Sequence, residues 1–108
     1  MASESETYGV SCARCRSHLG HDAEVAAISG SVMGDEITDT YFLCPHCQVF
    51  TVELLREAFC GPESVTITGP IERVVGEARV ALIDGCASPW DKHCRCESHK
   101  AYFAGHLD

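Results

Sequence analysis

Beyond residue 7, the apolar positions of the chain fall into short stretches with two different periods. Ala23–Ile28 and Glu36–Leu43 are rich in β-branched or aromatic residues, and Gly30, Gly34 and Asp35 lie between them. That pattern predicts two strands joined by a turn. Over Gln48–Phe59 the signals divide: Val49, Thr51 and Val52 favour a strand, whereas Phe50, Leu54, Leu55, Ala58 and Phe59 fit one face of a helix. The expectation is a strand that turns into a helix. Ser64–Thr68 reads as a strand ended by Gly69-Pro70. From Ile71 the apolar positions Ile71, Val74, Val75, Ala78, Leu82 and Ile83 recur with helical spacing, although Gly76 and the valines weaken that helix. Gly85 and Pro89 make Asp84–Asp91 a loop, and a short helix is expected within Glu97–Leu107.

Composition narrows what these elements can build. A chain of 108 residues with 45% hydrophobic residues suits one domain with a modest core. We expect a flexible N-terminus over residues 1–7 and a single domain over residues 8–108. Eight cysteines in so short a chain point to metal or cross-links supplementing the packing. Sixteen acidic against eight basic residues give a formal charge of −8, which disfavours binding to a phosphate backbone and so to nucleic acid. The first seven residues are polar and acidic where a secretory signal is basic and then apolar, and no apolar run approaches the roughly 18 residues that span a bilayer. The expectations are a cytoplasmic location and no membrane partner. In a reducing compartment, paired cysteines hold metal or do redox chemistry more often than they form structural disulfides.

Cys12-x2-Cys15 and Cys44-Pro-His-Cys47 are the strongest motif. A tight turn lets two sulfurs of one knuckle point at one ion, and two such knuckles complete a tetrahedral four-thiolate shell for Zn2+. The 28 residues between Cys15 and Cys44 exceed the usual spacing of roughly 15–20, and the hairpin predicted there accounts for the excess. A second, looser group comprises Cys60, Cys86, Cys94 and Cys96 with His93 and His99 nearby. It is a candidate for a second metal at Cys60, Cys86, Cys94, Cys96 or His99. With an open coordination position such a site could be catalytic or hold iron–sulfur. Cys94 and Cys96 can ligate together only from an extended or looped segment, because a helix would point them nearly opposite ways. The bland alternative makes Cys60 and Cys86 small buried hydrophobes.

Three resemblances extend this reading. "YFLCPHCQVF" resembles the active-site turn of disulfide-oxidising thioredoxin-fold proteins, in which Cys-Pro-His-Cys follows a strand and opens a helix. That likeness implies Cys44 as a low-pKa nucleophile, with Gly69-Pro70 standing at the fold's cis-proline. "CARCRSHLGHDAEVAAISGSVMG", followed by "TYFL", is similar to the opening of Yippee-type zinc domains. His-Leu-Gly-His after Cys-x2-Cys also resembles the methionine-R-sulfoxide reductases, which share with them a β-tent of two antiparallel sheets about one zinc. The likeness implies that Cys12 and Cys15 are zinc ligands and, in the reductase reading, that His18 and His21 are active-site groups. Either Cys44 with Cys47 or Cys94 with Cys96 would then complete the site. The reductases' Arg-Tyr-Cys-x-Asn nucleophile segment has no counterpart in this chain.

The fold expected is α+β, mainly antiparallel, with two small sheets joined at a zinc site and one or two short helices. The function expected is a protein- or ligand-binding accessory module with a structural four-cysteine zinc, since a closed shell leaves no position for substrate. Thiol oxidoreduction, either sulfoxide-reductase-like or by disulfide exchange at Cys44 and Cys47, is the alternative. His18 and His21 are expected to face a shallow ligand pocket, with Gly20 leaving room and Arg14 and Arg16 adding positive charge. Otherwise they brace the knuckle by hydrogen bonds.

Overall fold

Gly34, at φ 86°, reverses the chain where the sequence pattern places a turn, and the strands on either side pair residue for residue from Val32↔Asp35 back to Ala27↔Thr40. The computed structural model describes residues 8–108; the flexible segment expected over residues 1–7 lies outside the described residues. The strands are β1 (Val10–Ser11), β2 (His18–Leu19), β3 (Glu24–Val32), β4 (Asp35–Leu43), β5 (Phe50–Glu57) and β6 (Ser64–Ile71). The helices are α1 (Arg73–Asp84) and α2 (Glu97–Tyr102). β1 and β2 form a small antiparallel sheet, and β3-β4-β5-β6 form an antiparallel meander in that order. The architecture is α+β and mainly antiparallel, with two sheets and two short helices, as expected from the sequence and its resemblance to β-tent domains.

The helix expected at the end of Gln48–Phe59 does not form. β5 runs extended through Glu57 because both its neighbours pair with it, β4 from Leu43↔Phe50 to Glu36↔Glu57 and β6 from Phe50↔Ile71 to Arg56↔Ser64. Two ladders of backbone hydrogen bonds outweigh a helical spacing of five side chains, since intrinsic preference is worth only tenths of a kcal/mol per residue, about 0.7 at most for ordinary residues. β6 likewise continues through the cis Gly69–Pro70 bond to Ile71 where an end at Thr68 was expected. β6 is an edge strand, so the missing N–H of Pro70 costs no ladder bond on its outer side.

Alternation along the strands sends Ile28, Tyr41, Phe50 and Val52 to one face of the meander, where they pack with Ile83 of α1 and Phe103 just beyond α2. Gly76 lies where α1 packs tightly on the sheet. A Cβ there would stand 2.1 Å from Phe50 Cδ2, so the residue that weakens the helix locally is the one that lets it dock. A second apolar cluster of Val10, Leu19, Phe42 and Val49 lies where the small sheet meets the end of the meander, and it encloses Cys12 and Cys44.

The two edges of the meander differ. Along β3, the Ser29 N–H donates to the Pro89 carbonyl at 2.8 Å and the Asp108 N–H donates to the Ser31 carbonyl at 2.8 Å. The Asp108 carboxylate accepts from Ser31 Oγ and from the Met33 and Gly34 N–H groups, donors that hold its pKa below the ordinary carboxylate value. The outer side of β6 has no backbone partner among the described residues.

Candidate metal centres

Cys12 follows β1 and Cys15 precedes β2; Cys44 and Cys47 lie in the turn between β4 and β5. The two turns share one construction. In each, the N–H four residues on closes back on the carbonyl of the first cysteine, Arg16 on Cys12 at 3.0 Å and Gln48 on Cys44 at 2.9 Å. The residue after the second cysteine takes a left-handed conformation, at φ 71° for Arg16 and 58° for Gln48. Backbone N–H groups point at the first sulfur of each pair, from Arg14 and Cys15 onto Cys12 and from Cys47 onto Cys44.

The four sulfurs lie within 4.8 Å of one another, with Cys15 Sγ and Cys44 Sγ 3.8 Å apart. Tetrahedral Zn–S bonds of about 2.3 Å place sulfurs roughly 3.8 Å apart, so this separation fits a shared ion. All four cysteines are free, and at 3.8 Å Cys15 Sγ and Cys44 Sγ are not joined by a disulfide. Their acidities diverge. Burial opposes ionisation of Cys12, but the N–H groups of Cys15 and Arg14 leave its pKa below the ordinary value. Hydrogen bonds from the Ser17 side chain and backbone bring Cys15 down to about 6, while desolvation, reinforced by the neighbouring sulfurs, pushes Cys47 up to about 12. Four thiolates this close cannot ionise together without a cation to hold them.

The second group is Cys86, Cys94, Cys96 and His99, again with donor atoms within 4.8 Å of one another. Cys86 follows α1, Cys94 lies in the loop beyond, Cys96 caps α2, and His99 sits in its first turn. The loop holds Cys94 and Cys96 outside any helix, the condition their joint approach requires. Cys86 Sγ lies 3.6 Å from Cys94 Sγ and 3.3 Å from His99 Nδ1, close to the edges of a zinc tetrahedron with one nitrogen ligand, about 3.8 and 3.6 Å. His99 is fully buried and its Nε2 lies 2.7 Å from the Ser29 carbonyl. A carbonyl only accepts, so Nε2 carries the proton and Nδ1 turns a lone pair toward the sulfurs. Metal-ligating histidines are oriented in this way. Burial pushes Cys86 up to about 11, while the His99 N–H at 3.4 Å from Cys96 Sγ lowers that thiol.

Not every residue singled out in the sequence joins these groups. Cys60 is exposed and stands outside both. His93 is also outside; its N–H donates to Asp91 Oδ1. The turn after Cys47 leads into β5 and opens no helix, so the helix N-terminus that the thioredoxin-type reading needs beside Cys44 is missing. His18 and His21 are exposed, and the His21 ring stacks on Tyr8 with centroids 3.9 Å apart. Arg14 and Arg16 are exposed beside the first knuckle. No helix among the described residues is long and apolar enough to cross a membrane.

Sequence reasoning missed two supporting groups. Thr51 in β5 is fully buried, and its Oγ1 accepts the Ala13 N–H at 2.9 Å inside the first knuckle. The Ser29 carbonyl fixes His99. Thr51 carried a partial signal, as a polar residue within an apolar run; a backbone carbonyl carries none. Against known proteins, the chain matches no family model, no curated protein and no solved structure.

Proposed function

We propose that this protein is a small zinc-stapled module that binds a ligand or partner, with one ion held by Cys12, Cys15, Cys44 and Cys47 and a second by Cys86, Cys94, Cys96 and His99. The observation that carries the reading is the orientation of His99, whose protonated nitrogen is committed to Ser29 while the other faces three cysteines. Each group supplies four protein donors, which fills a tetrahedral zinc and leaves no position for water or substrate. Both ions are therefore structural, and their binding energy is folding energy. The two matched knuckles at the junction of two antiparallel sheets also support the likeness to Yippee-type β-tent domains.

Elemental analysis of protein purified without chelator tests this reading. Two zinc ions per chain are expected, falling to one in Cys44→Ser and to one in Cys94→Ser. Cobalt substitution should give different visible spectra for the two ions, one of four sulfurs and one of three sulfurs and a nitrogen. One ion, none, or iron in either group would overturn the assignment.

A further inference from the structure

Between α1, α2 and the β4–β6 half of the meander lies a cavity of about 730 Å3, within the range of roughly 300–1,000 Å3 that takes small organic ligands. Ile37 and Leu54 form its apolar floor, and Leu82 and Phe103 form apolar walls. We propose that this cavity binds an organic anion with an apolar body, whose acidic group is held by Arg79 at the rim.

The sign of the ligand follows from the charges. The chain has twice as many acidic as basic residues, yet the cavity is lined by Arg56 and Arg79 against the single carboxyl of Asp39. Arg56 is already held by Asp35 at 2.6 Å. Arg79 is exposed and enters no ion pair among the described residues, so its planar fork is available to a carboxylate or sulfonate.

Asp39 does not cancel that attraction. Its Oδ2 accepts from the Tyr102 hydroxyl at 2.6 Å, and that hydroxyl lies 2.6 Å from the hydroxyl of Tyr41, which ties the carboxyl into the floor. Burial raises its pKa above the ordinary carboxylate value, against smaller opposing effects of Tyr102 and Arg79. An ammonium ligand would find one carboxyl already engaged by the Tyr102 hydroxyl and the Arg79 guanidinium repelling it. The inference gives the module reading its ligand class. It does not depend on metal stoichiometry, so metal analysis and ligand titration can fail separately.

The test uses the full chain as purified, with anilinonaphthalenesulfonate as a fluorescent probe and decanoate and decylamine as competitors. The proposal expects saturable one-to-one probe binding that decanoate displaces and decylamine does not. Arg79→Ala should weaken decanoate by about tenfold or more, the loss of one charge-assisted contact, with Arg79→Lys recovering part of it. Thr66→Trp, a replacement at an exposed lining residue, should fill the floor and abolish binding while leaving circular dichroism and metal content unchanged. Non-saturable probe binding, displacement by decylamine as strong as by decanoate, or unchanged decanoate affinity in Arg79→Ala would overturn it.

Discussion

Gly76 shows how far one residue's role can lie from its local preference. In sequence it lowers the expectation of a helix; in the fold its missing side chain admits the ring of Phe50. Gly76→Ala should improve the isolated helix by about 1 kcal/mol and still destabilise the protein by about 1–3 kcal/mol through overpacking, read as a lower urea midpoint with an unchanged slope. Thr51 has the opposite character, a polar side chain that is stabilising because it is buried. Thr51→Val keeps the shape but leaves the Ala13 N–H without its acceptor, at a cost of about 1–3 kcal/mol. Its distinguishing effect is local: zinc should leave the first group faster under a chelator while release from the second is unaltered. The cysteine spacings were legible before the fold was known, because a knuckle is a local object. The Gly76–Phe50 and Thr51–Ala13 contacts were not, since each joins segments whose proximity only the folded sheet creates.

Among the elements, the β3–β4 hairpin was readable because β-branched runs flanked a glycine turn, and α1 because its apolar period persists for three turns. β5 was not. Its side chains satisfy a helical face as well as a strand, and the decision is made by β4 and β6, which the segment itself does not contain. Cys60 was inseparable from the true second group for the same reason: it lies in the loop between β5 and β6, and nothing in its own neighbourhood says where that loop points. Asp39 links elements in a way that pH can probe. Its folded pKa lies above its unfolded value, so folding favours the protonated form. Its contribution to stability is fully present below the unfolded pKa near 3.9 and is lost as pH rises through the folded pKa. Asp39→Asn keeps an acceptor for Tyr102 and cannot ionise. The variant should therefore gain stability relative to the parent as pH rises, which urea midpoints of the two proteins at matched pH values would measure.

For the molecule as a whole, the core is divided into two apolar clusters, one enclosing Cys12 and Cys44 and the other packed between the meander and the helices. If both groups hold the proposed ions, a strong chelator should abolish cooperative unfolding and expose apolar surface, and adding zinc back should restore the sigmoidal transition. The asymmetry of the meander carries a different consequence. β6 offers an uncharged outer edge over Ser64–Ile71, whereas β3 is covered at Ser29 and Ser31 by Pro89, His99 and Asp108. A sheet with a single open edge can pair once, edge to edge, and then has nothing left to extend. If the second ion is lost and that cover lifts away, the same sheet has two open edges and can add copies at both sides. Metal depletion of the His99→Ala variant should then drive growth from small species to filaments, visible as rising light scatter and dye binding. A β-breaking Thr66→Pro change on the free edge should halt it.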